Sequence, residues 1–359
     1  MWWKSILAAG SAFLLGSLVA LYAAGPLLGS GVVTPLGLKA TPAPMNASDP
    51  AADRTGRLRY MGGLVLKSQD RRFGGISAIL WFERCNRLLA VSDTGAWVIL
   101  EPDEADRQQS GAEHSRQRLR GIRAAWIAPL LGVDGEPAAS KSAADAESLA
   151  RAANGDIWVF HEQRHRGLRY VGVDACRPET LAIAPVEQWE PPGAAGWPLN
   201  GGIESAAIQG DTILLLSESA PGAGGHRAGL AGAPTVPMRA FSYAAPQGTS
   251  PTAMEPRDPG SDNSMMVVLA RSASPFRGFS AVVSEARIAA VPDERVEPRE
   301  IARLQSPMLI DNMEALAVRA EGERRYIYMM SDNNFNPLQR TLLMKFELFP
   351  ENLAPPGGW

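Results

Sequence analysis

Short apolar runs of β type, each closed by a cluster of polar residues, recur along most of this chain. The clearest copy spans Asp311 to Leu348. There the runs Tyr326–Met330 and Thr341–Leu348 stand beside Asn312-Met313-Glu314-Ala315-Leu316 and Ser331-Asp332-Asn333-Asn334-Phe335. An earlier copy predicts a strand over 73–82, a turn at 83–87 and a strand over 88–91. It goes on through the polar end Ser92-Asp93-Thr94-Gly95 to a strand over 96–100, a charged loop at 101–118 and an outer strand over 123–130. A further copy begins at Asp145-Ala146-Glu147, turns at 153–156 and runs through Ile157–Phe160 to the polar end His161–Arg166. Another runs from Gly202-Ile203-Glu204 through Thr212–Leu216 to Ser217-Glu218-Ser219. A degraded one runs from Ser250 through Met265–Leu269 to Arg271 and 278–283.

Superposed, the copies give two polar columns. The first reads Ser77, Glu147, Glu204, Thr252, Glu314, and the second Asp93, Glu162, Glu218, Arg271, Asp332. Self-similar units of three or four short strands predict an all-β fold, a single β-propeller. Five blades are visible. A sixth is expected from the strand at 57–67 joined to the weakly patterned region 284–305, since a blade completed from both chain ends removes open sheet edges. The propeller is placed at residues 57–350, with a tail at 351–359.

Composition changes this picture mainly at the N-terminus. Lys4 precedes an apolar run from Ile6 to Leu28, so residues 1–28 read as a signal peptide or an N-terminal membrane anchor helix. Residues 29–56, rich in Pro, Ala and Ser, read as a flexible tether. An exported, periplasmic protein is expected, a monomer that touches the membrane only through its N-terminal segment. A formal charge of −3 gives no reason to expect nucleic acid as a partner. The two cysteines, Cys85 and Cys176, suit either a disulfide of the exported chain or two buried thiols.

Several motifs are specific enough to name a family. Asp145-Ala146-Glu147-Ser148-Leu149-Ala150, Asn200-Gly201-Gly202-Ile203-Glu204-Ser205-Ala206, Ser331–Phe335 and Gln339–Leu343 resemble the phytase-like propeller family, also called "esterase-like activity of phytase". The resemblance covers about residues 70–350 and is strongest from Asn312 to Leu343. It departs in the fourth unit, where Thr252 and Arg271 replace carboxylates. The resemblance implies a propeller and a hydrolase of esters or phosphoesters. A true calcium-rich phytase is not expected, because no Asp-x-Asp-x-Asp loop occurs.

Hairpin geometry brings both columns to one mouth of the central channel. Crowded carboxylates there need protons, cations or hydrogen bonds. Three compensations are open. One is a divalent cation, Ca²⁺ before others, on Asp93, Glu162, Glu218, Glu314 and Asp332. Another is pairing with Arg164, Arg166, Arg271, Arg277 or Arg340, and the last is blade-to-blade bonding to backbone N–H groups. With a metal, Glu147, Glu204, Glu314, Asp332 and Arg271 are the candidate catalytic residues for a small-molecule ester or phosphoester. The letters His161-Glu162-Gln163-Arg164-His165 match a zinc motif that works only on a helix, and a rim loop is expected instead. No Gly-x-Ser-x-Gly elbow occurs, and Gly222–Gly225 reads as a loop. The competing reading is a non-catalytic scaffold that binds an envelope protein or glycan through insertions at 101–120 and 220–248.

Overall fold

The computed structural model describes residues 32–105, 118–261, 263–274, 276–288 and 295–350. They form five sheets around one axis, antiparallel throughout except where Arg295–Val296 pairs in parallel with the outer strand of the third. Blade 1 contains, from the axis outward, Ile76–Phe82, Arg87–Ser92, Ala96–Ala105 and Arg118–Pro129. Blade 2 contains Ala146–Arg151, Ile157–His161, Arg166–Tyr170 and Glu187–Trp189. Blade 3 contains Ile203–Gln209, Thr212–Pro221, Arg227–Ala233 and Val236–Tyr243. Blade 4 contains Ser250–Pro256, Met265–Ser274, Gly278–Arg287 and Arg299–Gln305. Blade 5 contains Met313–Glu321, Arg324–Ser331, Thr341–Leu348 and Leu58–Ser68. Each innermost strand touches that of the next blade, and blade 5 returns to blade 1, so the ring closes.

The ring therefore has five blades where six were expected. Both segments assigned to a sixth blade are outer strands of other blades. Arg299–Gln305 pairs with Gly278–Arg287 in blade 4, and Leu58–Ser68 pairs with Thr341–Leu348 in blade 5. The strand at 57–67 was legible from its alternation and Arg299–Gln305 lay in a weakly patterned region, but nothing in either marks its partner, so blades 4 and 5 read one strand short. Closure by the two chain ends holds, but inside blade 5.

Why the apolar runs are continuous rather than alternating follows from the packing. A blade is covered on both faces by its neighbours, so both faces of its middle strands must be apolar. In blade 3, Ile213 and Leu215 enter the core shared with blade 2, while Leu214 and Leu216 enter the core shared with blade 4. In blade 1, Val98 and Leu100 face blade 5, while Trp97 and Ile99 face blade 2. Five hydrophobic clusters fill the five gaps between blades.

Three further expectations change. Within the segment read as a tether, Thr34–Pro35 pairs with the edge of blade 1, Leu38–Ala43 with the edge of blade 5, and Arg54–Thr55 with Leu58–Ser68. Leu36 is buried in the core between those blades. Pro42 sits in an edge strand, where a missing N–H costs nothing and blunts the edge. The insertion at 220–248 is largely two strands of blade 3, and the charged loop at 101–118 begins as strand up to Ala105. The leader, the rest of that loop and the C-terminal tail lie outside the described residues, among which no helix is long and apolar enough to cross a membrane.

Cys85 and Cys176 form a disulfide that links the first hairpin of blade 1 to the outer segment of blade 2 across 91 residues of sequence. By loop entropy a crosslink of that span contributes about 4–5 kcal/mol. The double variant Cys85→Ser/Cys176→Ser is expected to lose that much in denaturant unfolding, and a loss below about 1 kcal/mol would contradict it.

Candidate functional site at the acidic channel mouth

Every innermost strand carries the same irregularity near its start. The pairing register skips one residue in each, and the skipped residues are Ser77, Glu147, Glu204, Thr252 and Glu314. These are the first polar column. A bulge frees one residue from the ladder and re-aims its side chain, as is common beside active sites. The second column closes each bulge from the neighbouring strand. Asp93 N donates to Gly75 O at 2.8 Å, Glu162 N to Asp145 O at 2.9 Å, Glu218 N to Gly202 O at 3.3 Å and Asp332 N to Asn312 O at 2.9 Å. In blade 4, Arg271 pairs with Ser250 in the equivalent place. The acceptors stand two residues before the bulge and form a third column: Gly75, Asp145, Gly202, Ser250 and Asn312.

The two predicted columns thus meet on one face of the ring. Eight carboxylates gather there: Asp93, Asp145, Glu147, Glu162, Glu204, Glu218, Glu314 and Asp332. Arg271 and Lys141 answer them. Arg271 Nη2 lies 3.0 Å from Glu314 Oε1 and 3.3 Å from Glu218 Oε1. Desolvation opposes its charge, but Glu314, Glu218, Glu204 and Asp332 outweigh that and hold the guanidinium firmly charged. Blade 4 therefore departs from the carboxylate pattern in order to supply the cation that the other blades share. Lys141, on the short helix Lys141–Ala144 capped by Ser140, places Nζ 2.7 Å from Asp93 Oδ2. The other oxygen, Asp93 Oδ1, is buried and has no hydrogen-bond partner among the described residues.

Two cations do not neutralise eight acids. Burial, and then the Glu204, Asp93 and Glu314 charges, push Glu147 well above the usual carboxylate range. Burial and the charges of Glu162, Glu218 and Glu314 do the same to Glu204, against Arg271. Asp332 is raised by burial, then by Glu314 and Asp93, although Oδ1 accepts from Asn334 N at 2.7 Å. Glu314 is raised by burial despite Arg271 and a 2.7 Å hydrogen bond from Asn312 Nδ2. Glu162 is pushed to about 7 by burial, moderated by hydrogen bonds to Glu204 and from the backbone N–H of Gly202. That last bond crosses from blade 2 to blade 3. Two others like it are Thr252 Oγ1 to Met313 O at 3.1 Å and Gly75 N to Asn333 Oδ1 at 3.1 Å.

Asp145, Glu147 and Glu162 bring one carboxylate oxygen each within 4.8 Å of one another. Of the five positions expected to ligate a metal, only Glu162 belongs to this triad. Glu218 and Glu314 share Arg271, Asp93 holds Lys141, and Asp332 is bound by Asn334. Glu147 was expected as a catalytic group, and Asp145 was not expected as a ligand. Its signal was the third column, in which Asp145 and Asn312 each precede a Glu by two residues. Lys141 had no repeat position to mark it. Three hard oxygen donors, raised in pKa by burial first and then by neighbouring charges, fit a divalent cation such as Ca²⁺.

The remaining rim arginines are engaged elsewhere. Arg164 pairs with Glu190 at 3.1 Å, Arg340 with Asp311 at 3.0 Å, and Arg166 donates to the Ala143 carbonyl at 2.6 Å. Arg277 is exposed on a hairpin tip. The zinc-like letters fall on a strand end and turn, with His161 Nδ1 2.6 Å from Ala144 O. Ser217 and Ser331 are consumed in backbone bonds, to Gly201 O at 2.9 Å and Arg340 O at 2.6 Å.

Among solved structures, the Neurospora crassa Pan2 WD40 domain matches at 10% identity, covering 83% of this chain and 98% of that one with a TM-score of 0.34. U3-55K matches at 7% identity over 80% of this chain and 98% of that one, TM-score 0.38. The Malassezia sympodialis allergen Mala s 1 matches at 11% identity over 84% and 92%, TM-score 0.33. No curated protein matches the sequence. The family model for esterase-like activity of phytase matches residues 71–335, a span that holds all five bulges and both polar columns. The chain belongs to the phytase-like family.

Proposed function

We propose that this chain is an exported hydrolase of esters or phosphoesters that works at the acidic channel mouth with a divalent cation, Ca²⁺ first among candidates. The observation that supports it is the bulged ring, which turns Glu147, Glu204 and Glu314 into a space where, among the described residues, Arg271 and Lys141 carry the opposing charge. Asp145, Glu147 and Glu162 would hold the cation, and when bound it would polarise a substrate oxygen and acidify water. The protein's own groups divide the remaining work. Arg271 offers a fixed positive fork to a carbonyl or phosphoryl oxygen. Glu204, pushed well above the usual carboxylate range by burial and then by the Glu162 and Glu218 charges, is suited to general acid–base transfer. Export is supported by the Cys85–Cys176 disulfide and the apolar N-terminal segment.

Hydrolysis of nitrophenyl carboxylate and phosphate esters, with and without Ca²⁺, tests this reading. Turnover is expected to fall about 100-fold in Glu147→Gln and Arg271→Gln. Absence of turnover in every condition, or wild-type rates in both variants, would overturn it. A non-catalytic binding module draws support from Phe276 and Leu338, which are 98% and 90% exposed on rim loops. A pull-down partner lost on changing both to Ser, with no hydrolysis detected, would favour that reading.

A further inference from the structure

On the face opposite the acidic rim, the innermost strands end around a cavity of about 380 Å³. All five blades contribute: Trp81 from blade 1, Arg151 from blade 2, Ile208 and Gln209 from blade 3, Glu255 from blade 4 and Val318 from blade 5. The walls mix apolar and polar surface, and the volume is that of a small ligand site. Three polar groups from three different blades line it without satisfying one another. The Gln209 amide nitrogen is buried and has no hydrogen-bond partner among the described residues. The Arg151 guanidinium lies 4.9 Å over the Phe82 ring, and among the described residues it forms no ion pair. Glu255 likewise has no hydrogen bond or ion pair there. A buried amide nitrogen left open in this way is uncommon in folded proteins and points to a missing partner, and the half-buried Arg151 and Glu255 stand at the same cavity.

The sign of that partner follows from the charges. Burial pushes Glu255 to about 8 against the pull of Arg151, so below that pH it is a neutral O–H donor. Glu83 also lines the rim, but it accepts from Trp81 Nε1 at 2.6 Å and lies 3.7 Å from Arg319 Nε. Arg151, Gln209 and protonated Glu255 are then three donors with one net positive charge. A cationic ligand would meet Arg151 unpaired, whereas an anion with acceptor oxygens meets all three.

We propose that this distal mouth binds a small organic carboxylate, its anionic end on Arg151, Gln209 and Glu255 and its apolar body against Trp81, Ile208 and Val318. Titration of the full chain with benzoate, benzamide and benzylamine in mildly acidic buffer tests it. Benzoate should saturate one site and bind at least about tenfold tighter than the other two. Arg151→Gln should weaken benzoate by about tenfold or more. In the wild type the affinity should fall as pH rises through about 8, as Glu255 ionises. Glu255→Gln, which keeps a donor without a titrating group, should flatten that profile. Saturating Ca²⁺ should leave benzoate bound. Preference for benzylamine, no saturable binding, displacement by Ca²⁺, or wild-type affinity in folded Arg151→Gln would each overturn the proposal. An unflattened profile in Glu255→Gln would do so as well.

Discussion

Replacing Glu104 with Gln is expected to cost this propeller about 3–5 kcal/mol of stability. Glu104 stands on blade 1 and reaches across to blade 5. There its Oε2 lies 2.8 Å from Lys345 Nζ and 3.0 Å from Arg319 Nη1, and its Oε1 accepts from Tyr328 OH at 2.6 Å. Lys345 is 0% exposed, and burial pulls its pKa down against the opposing charge of Glu104. Aromatic faces assist: Lys345 Nζ lies 4.6 Å over the Tyr326 ring and Arg319 5.0 Å over Trp81. Ring attraction of about 1–2 kcal/mol does not replace a buried carboxylate, so the variant strips the fully buried Lys345 of the charge nearest it, while Arg319 keeps Glu321 at 3.2 Å and Glu83 at 3.7 Å. The site also lies beside the strand that closes the ring, so its loss should loosen the closure itself. A melting point lower by about 10 °C is expected by calorimetry, given a few degrees per kcal/mol in a domain of this size. Glu190→Gln breaks the exposed pair with Arg164 and should cost less than about 1 kcal/mol. Equal melting points for the two variants would contradict the argument.

What the sequence made legible divides along the same physical lines. Inner and middle strands are buried on both faces, so runs such as Ile213–Leu216 and Tyr326–Met330 stand out as unbroken apolar segments. Their polar ends repeat because the bulge and its closing amide repeat, which is why both columns were readable by superposition alone. The strands Arg299–Gln305 and Leu38–Ala43 are partly exposed and break the apolar pattern. Arg299–Gln305 and Thr41-Pro42-Ala43 therefore looked irregular, and the first was assigned to a sixth blade while the second was taken for a tether. At the mouth, residue types at repeat positions marked seven of the eight carboxylates that gather there, missed Asp145, and could not partition them. Which acids share Arg271, which one takes Lys141 and which three are left to one another depends on distances of a few ångströms between blades. Lys141 lies on a helical turn outside the repeat and left no periodic trace. Arg271 looked like a degraded position because the compensation for a ring of acids can sit in any single blade.

Calcium is expected to raise the melting temperature of this chain, by more at about pH 8 than at about pH 5. The triad Asp145, Glu147 and Glu162 carries the argument, with Glu162 held at about 7 by burial and the other two raised by burial first and then by neighbouring charges. An unfolded Glu titrates near about 4.3, so the folded state binds protons more tightly than the unfolded chain. Without a cation the associated stability is fully present below that unfolded value, declines as pH rises towards about 7 and is lost above it. For Glu162 alone the loss is on the order of 3 kcal/mol. A divalent cation takes the place of those protons, so its affinity should climb with pH up to about 7 and then level off. At a hundredfold excess over its dissociation constant it would restore about 2.7 kcal/mol. Glu147→Gln removes one donor and one repelling charge. That variant should be less sensitive to pH without calcium and should gain much less from adding it. A wild-type chain whose melting point at about pH 8 ignores calcium would remove the cation from this mouth. The raised carboxylates would then hold protons and donate to neighbouring carboxylates, across blades for Glu162 with Glu204 and within blade 2 for Asp145 with Glu147.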